Sequence, residues 1–405
     1  MKTIVPEGWK YLKLKKLLTQ DIKNGYSPNC PDEPNGSWIL SLGNLTEYGF
    51  DPSQAKPAPK DDDRVKNFLL KTGDFLISRS NTLEKVGRIM LFRGEINNCS
   101  YPDLLMRFRV DQTQVINEYL EGYLRSSIVR RYIQGCASGT SHSMVKINKT
   151  VVEKIPVVYP PLPEQKAIAD LLSTWDEAIE KFENLIGAKK KFYAAQLSKR
   201  VLCKYPERIK LKTFLKEVSK RNRDLSITQV LSVTNSKGFV KPEDQFEKQV
   251  ASDNLSNYKI VSNGYYAYNP SRINVGSIAR LDGWDFGVLS PMYTVFEIIK
   301  PSELNTDLFL HWLNSHEAKQ RIKLSAQGSV RETVSFDDFC AIGFPKIDFT
   351  EQKALAEYFD LISAEINALK ALSDKYKTQK RGLMQKMLTG EWRVKPEIVN
   401  QYMEA

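Results

Sequence analysis

One segment of this chain occurs twice. Glu164-Gln165-Lys166-Ala167-Ile168-Ala169 returns as Glu351-Gln352-Lys353-Ala354-Leu355-Ala356. Apolar residues continue each copy at alternating spacings of four and three. The first row is Ile168, Leu172, Trp175, Ile179, Phe182 and Ile186; the second is Leu355, Phe359, Ile362, Ile366 and Leu369. Such a row is a heptad seam, which only a long helix keeps on one face. Each helix opens after a break, Pro160-Pro161-Leu162-Pro163 in one copy and Asp348-Phe349-Thr350 in the other. Thr350 is placed to act as N-cap, and Glu164 and Glu351 fall in first turns, where the helix dipole favours an anion. A helix from Glu164 to Leu202 would be about 58 Å long.

The stretches before the helices repeat as well. Ile39-Leu40-Ser41-Leu42 is echoed by Val230-Leu231-Ser232-Val233, Val86-Gly87-Arg88-Ile89 by Val275-Gly276-Ser277-Ile278, and Gly139-Thr140 by Gly328-Ser329. Tyr119-Leu120 with Tyr123-Leu124 is echoed by Leu308-Phe309 with Trp312-Leu313. The chain therefore reads as one unit used twice: a domain over 1–160, a long helix over 161–204, a second domain over 205–348, a second long helix over 349–392 and a tail over 393–405. Phe75–Ser78 and Tyr265–Tyr268 follow Gly-containing turns and read as strands. Tyr119–Ile133 and Thr306–Leu324 read as amphipathic helices, and Pro52–Asp63 as an exposed loop. The fold class is α+β, with two similar mixed domains. A helix entering the second domain and one leaving it must run antiparallel to close a compact chain. Their seams then pair as a coiled-coil-like spacer, with the domains related by a pseudo-two-fold axis.

These features together resemble the specificity subunit of a type I restriction-modification system. The layout of two domains, each followed by a long helix opening in Glu-Gln-Lys, carries the resemblance over residues 1 to about 392. Gly73-Asp74-Phe75-Leu76-Ile77-Ser78-Arg79-Ser80-Asn81 and Ser138-Gly139-Thr140 resemble parts of that family's target recognition domains. The resemblance implies a non-catalytic subunit that reads a split double-stranded DNA target, one half per domain. It implies docking to two DNA methyltransferase subunits and, through them, to restriction (nuclease/translocase) subunits. S-adenosylmethionine, ATP and Mg²⁺ would then belong to partner chains, with no cofactor in this one.

Charge agrees with a polyanionic partner. Lys and Arg number 59 against 48 Asp and Glu, a formal charge of +11, and residues 1–160 alone carry 23 basic and 17 acidic side chains, a net of +6. Residue types suited to base edges cluster at matching places in the two copies. In the first domain they are Arg79, Ser80, Asn81, Thr82, Lys85 and Arg88, then Ser141, His142, Ser143 and Lys146. In the second they are Asn269, Ser271, Arg272, Asn274 and Arg280, then Gln327, Ser329 and Arg331. Lys189, Lys380 and Ser373 interrupt the seams, and Gly187 and Gly382 sit within the helices. Phe192, Tyr193 and Tyr376 are candidate anchors for partner subunits. On DNA rising about 3.4 Å per base pair, a 58 Å helix limits the half-site separation to about 17 base pairs.

Enzyme readings find little support. Tyr268-Asn269-Pro270-Ser271 lacks the second Pro and final aromatic of an amino-methyltransferase motif. Glu164-Gln165-Lys166 has a nuclease-like Glu-x-Lys form, but it opens a helix and recurs at Glu351. No G-x-x-x-x-G-K-[ST] loop is present. The three His and five Cys lack metal-ligand spacing. An enzyme with an unrecognised active site, and a coiled-coil scaffold that never touches DNA, remain as alternatives. With no apolar stretch in Met1–Leu12 and no run of about 18 apolar residues, the reading is a cytoplasmic prokaryotic protein without membrane association.

Overall fold

A computed structural model describes residues 5–46, 49–139, 144–235, 237–244, 254–326 and 333–403. The chain divides into two compact units. One comprises Met1–Lys181 with Ser373–Ala405, the other Phe182–Leu372. Each unit therefore holds a mixed domain, one end of the first long helix and one end of the second.

In the first unit a four-stranded antiparallel sheet runs in the order Lys23–Asn24, Leu105–Phe108, Asp74–Ser78, Ile89–Phe92. In the second the order is Leu215–Glu217, Thr294–Ile298, Tyr266–Tyr268, Ile278–Arg280. The repeat seen in sequence is thus a repeat of topology. Both sheets carry a stacked ring pair on directly opposed residues. Phe75 and Phe108 lie 5.0 Å apart at 4°, and Tyr266 and Phe296 lie 5.2 Å apart at 13°. Each domain also pairs its first strand with its last, Lys10–Lys13 with Pro156–Tyr159 and Arg208–Lys210 with Gly343–Pro345. That closure fixes where the chain leaves for the long helix.

Each single helix expected within a domain is two helices. They are Asn117–Arg125 and Ser127–Cys136 in the first unit, and Thr306–Leu313 and His316–Ala326 in the second. The breaks fall at Ser126, whose backbone is extended (φ −63°, ψ 157°), and at Asn314-Ser315. Continuous apolar periodicity hid them, because both helices of a pair face the same core. The Pro52–Asp63 loop holds a strand, Lys56–Pro57, paired with Trp38–Ile39, and buries Ala58. Gly87 (φ 69°) and Gly276 (φ 95°) occupy matching turns in the left-handed region, which explains why glycine stands in both copies.

The first long helix spans Leu162–Leu197 and continues through a π-helical turn, Ser198–Cys203. The second spans Phe349–Leu388. Its cap is Asp348 and not Thr350: the Thr350 N–H donates to Asp348 Oδ1 (2.9 Å), and Thr350 lies inside the helix. Of the seam residues, Ile168, Leu172, Ile186, Leu355, Phe359, Ile362 and Ile366 are buried, while Trp175, Ile179, Phe182 and Leu369 are half-buried.

Within each unit the helix ends pair antiparallel. In the first unit Glu164 bonds Arg393 (2.6 and 2.7 Å), Trp175 packs on Tyr376 and Asp176 pairs with Lys380. In the second Lys204 bonds Glu351 (2.8 Å), Arg200 lies over the Tyr358 ring and Lys189 pairs with Glu365 (2.8 Å). The lysines that interrupt the seam are thus neutralised across it. Ser373 is buried and its Oγ has no partner. The start of the predicted tail is docked: Arg393 also donates to the Glu7 carbonyl (3.1 Å), and Val394 packs on the first core.

Candidate nucleic-acid interface

The Glu-Gln-Lys motif explains how each domain is held to its helix. Gln165 is fully buried. Its Oε1 accepts the Ile116 N–H (2.9 Å), and its Nε2 donates to the carbonyls of Gln114 (2.9 Å) and Pro160 (2.8 Å). Gln352 makes the same three bonds, with the Asn305 N–H (2.8 Å) and the carbonyls of Glu303 (2.8 Å) and Ile347 (3.0 Å). An amide is the one side-chain group that both donates and accepts in this geometry. The preceding Glu bonds a cation just beyond the end of the other long helix, Arg393 for Glu164 and Lys204 for Glu351. Bonds from Lys204 and Tyr205 hold the Glu351 carboxyl below its ordinary pKa. Glu164 and Glu351 are therefore ion-pair partners as well as residues suited to the helix dipole.

The scaffold brings the two sequence clusters of each domain together. In the first, Ser80-Asn81 pairs with Val145-Lys146 as a short antiparallel ladder, and the Ile147 N–H donates to the Arg79 carbonyl (2.9 Å). The Ser138 and Lys146 backbones bond each other (2.8 and 3.0 Å). Lys85 and Lys146 are exposed. Among the described residues the Ser80 Oγ and Thr82 Oγ1 have no partner, and Asn81 Oδ1 accepts the Thr82 N–H (2.8 Å). In the second domain the Val334 N–H donates to the Pro270 carbonyl (3.1 Å). This is the counterpart of the Ile147–Arg79 bond, and it draws the chain after Arg331 to the Asn269–Arg272 turn. Ser271 and Arg272 are exposed there, and Asn274 Oδ1 has no partner. Ser141, His142, Ser143, Gln327, Ser329 and Arg331 lie outside the described residues.

Several candidates are committed inside the fold. Arg280 bonds Asp282 (2.6 Å), Asp307 (2.6 Å) and Thr306 (3.1 Å). Burial by itself would lower its pKa, but the two carboxylates hold the guanidinium above the ordinary value. Its place is structural, and Arg272 is the exposed arginine of that cluster. Asn269 folds its Oδ1 back onto the Ser271 N–H (3.1 Å). Arg88 reaches the Leu45 carbonyl (3.3 Å) at the rim of a cavity. The sequence reading passed over the other arginines of that cavity, Arg125, Arg130, Arg131 and Arg381, because they stand on helices and not at loop tips.

The partner-anchor candidates separate. Tyr193 donates or accepts at His311 Nδ1 (2.8 Å) and packs edge-on against Phe359 (5.5 Å) within its own unit. Tyr376 packs on Trp175 (5.4 Å). Phe192 is exposed, as are Leu171 and Leu185. Leu185 and Phe192, both in the second unit and seven residues apart, share one heptad position away from the buried seam.

No group of His, Cys, Asp and Glu among the described residues is arranged to hold a metal ion. No helix among them is long and apolar enough to cross a membrane.

Comparison with known proteins follows this geometry. Residues 6–187 match the family model described as the type I restriction modification DNA specificity domain. A putative type I restriction enzyme MjaX specificity subunit of Methanocaldococcus jannaschii is 24% identical over 418 aligned positions, which cover 96% of this chain and 95% of that protein. The type I restriction enzyme MjaVIII specificity subunit of the same organism is 26% identical over 49% of this chain and 48% of its own. Among solved structures, the S subunit of a type I restriction-modification system from M. genitalium matches at TM-score 0.54 and 15% identity. That match covers 93% of this chain and 95% of that one. A chain from a structural study of complex assembly and conformational transition of the type I R-M system matches at TM-score 0.55 and 13% identity, covering 96% and 100%. The structural matches support the fold, and the sequence matches extend across both copies of the repeat. Residues 6–187 thus resemble a type I restriction modification DNA specificity domain, and the chain as a whole is similar in sequence and fold to specificity subunits of type I restriction-modification systems.

Proposed function

We propose that this chain reads a bipartite, asymmetric DNA target, one half-site per domain, and docks DNA methyltransferase subunits along its long helices. The observation that carries the reading is a duplicated scaffold bearing unlike polar turns. The Gln165 and Gln352 tethers, the stacked rings and the loop-joining bonds recur in both units. The residues presented at the turns do not: Arg79, Ser80, Asn81 and Lys146 in one, Asn269, Ser271 and Arg272 in the other. Equal frames with unlike reading groups recognise unlike half-sites. Leu185 and Phe192 of the second unit supply exposed apolar side chains for a partner.

The deciding experiment maps methylated sites in cells carrying this chain with its methyltransferase subunits, before and after residues 1–155 are replaced by another recognition domain. One half-site should change and the other persist; a change in both halves refutes one domain per half-site. Deleting one heptad from both long helices should alter the spacer and leave the half-sites intact. The purified chain should retain DNA in a salt-dependent way, yet neither cut nor methylate it with Mg²⁺ or S-adenosylmethionine supplied.

A further inference from the structure

The first unit holds a cavity of about 760 Å³ that the turns described above only border. Its walls are the Gly87-Arg88 turn, the junction at Ser126 and the second long helix at Arg381–Gln385. Five arginines line it, Arg88, Arg125, Arg130, Arg131 and Arg381, of which Arg125 and Arg381 have partners of their own; Glu84 is the acidic residue among its described walls. The hydrogen bonds described for three of them go to backbone carbonyls. Arg88 reaches Leu45 (3.3 Å), Arg130 reaches Val86 and Glu84 (2.9 Å), and Arg131 reaches Ser127 (3.3 Å). Carbonyls fix the direction of a guanidinium without cancelling its charge. Burial, and then the neighbouring Arg88, press the Arg130 pKa below its ordinary value, as expected where cation faces cation.

A second feature points the same way. The ten-residue helix Ser127–Cys136 begins at this cavity, and Ser126 provides no side-chain cap. Ser126 is 5% exposed, and among the described residues its Oγ has no partner. The matching residue of the second unit, Ser315, accepts the Ala318 N–H (3.1 Å) and so caps its own helix. There Ser277, Asn314, Lys319 and Gln320 stand where the first unit has Arg88, Arg125, Arg130 and Arg131. The feature therefore belongs to one unit and is not a by-product of the shared scaffold.

Converging guanidinium groups, a free hydroxyl and an uncapped helix N-terminus together suit an oxyanion with several acceptor oxygens. The cavity wall at Glu84–Arg88 continues directly from the Arg79–Asn81 turn. We infer that this cavity clamps a backbone phosphate of the DNA read by the first domain. The inference rests on the DNA-reading function proposed above. The clamp adds affinity and register without sequence preference.

The test uses the full chain and a mixed-sequence duplex of about four helical turns, with binding followed by fluorescence anisotropy across a salt series. The double variant Arg88→Gln, Arg131→Gln should bind about tenfold more weakly at low salt. Its log–log salt slope should be shallower by about 1, the effect of one lost phosphate contact. Ser126→Ala removes no described hydrogen bond and so tests the site even if the arginine variants misfold; it should weaken binding about fivefold. Unchanged affinity and slope in both variants overturn the clamp while leaving DNA reading intact. No salt-dependent binding by the unmodified chain overturns both. Two further results also overturn the clamp. One is an unchanged DNA slope with inorganic phosphate raising the melting temperature of the unmodified chain alone, which marks a free-anion site. The other is an unchanged slope with lost methyltransferase co-purification, which marks a protein contact.

Discussion

In the first unit the central strand begins with Asp74, which is fully buried. It accepts the Lys71 N–H (2.8 Å) and the Arg109 Nε–H (2.6 Å), with Arg107 at 3.8 Å. In the second unit the matching position is Tyr265, half-buried, and the second unit's arginine, Arg280, is paired from a neighbouring strand with Asp282 and Asp307. The two domains thus differ at this interior position, a buried carboxylate in one and a half-buried tyrosine in the other. The bonds that tie domain to helix are the same three bonds. The difference teaches that the repeat preserves attachment and topology and leaves the rest of each domain free to vary.

The comparison breaks most visibly at Asp74. Asp74→Ala leaves two arginines without their carboxylate and a backbone N–H without its acceptor. Removing one partner of a buried ion pair costs about 3–5 kcal/mol. Hydrogen exchange should accelerate in peptides from the first sheet and stay unchanged in peptides over Tyr266–Ile298. Equal acceleration in both units would end the claim that their interiors are independent.

The tethers should respond alike. Gln165→Ala and Gln352→Ala each strand one N–H and two carbonyls at a buried junction, worth about 2–3 kcal/mol. The two losses, read from exchange in the adjoining helix starts, should agree to within about 1 kcal/mol. A large loss at one glutamine and none at the other would show that the repeated geometry is not a repeated energy.

High pH should weaken both units for one reason. Burial pushes Tyr123 in the first unit, and Tyr193 and Tyr266 in the second, up to about 12. Unfolded tyrosine titrates near 10. Between these values the folded chain keeps protons that the unfolded chain releases, so stability is full below about pH 10 and falls as pH rises toward about 12. Urea midpoints at pH 9 and 11 measure the fall. Tyr193→Phe should flatten it in the second unit alone.

The duplicated Glu-Gln-Lys segments and the seams were legible in the sequence because periodicity records burial directly. The joining of Arg79–Asn81 to Val145-Lys146 was not, since 64 positions separate the residues whose backbones pair, Asn81 and Val145. The breaks at Ser126 and Ser315 were hidden by apolar spacing that suits one helix or two. The bonds of Arg280 to Asp282 and Asp307 were hidden because a strand residue one step from a turn faces inward or outward by register, which its own sequence does not disclose. The arginine cavity draws on three distant segments, and no local pattern announces it.

The smallest effect on stability should come from the exposed apolar residues of the first long helix, set against the buried seam of the second. Phe359 in the buried seam of the second unit is fully covered, and Phe359→Ala should cost about 3–5 kcal/mol. Phe192 on the first long helix is 46% exposed, so Phe192→Lys should change stability by less than about 0.5 kcal/mol. If the exposed pair is a partner's seat, that same substitution, made together with Leu185→Lys, should release the methyltransferase subunit during co-purification and leave salt-dependent DNA binding by the isolated chain intact. Retained methyltransferase would reduce the pair to ordinary surface, and lost DNA binding would mean that the pair serves the reading function instead. A side chain that costs nothing to change in the free chain and everything in the complex is the mark of an interface, which separates Phe192 from its neighbour Tyr193, already spent on His311 and Phe359.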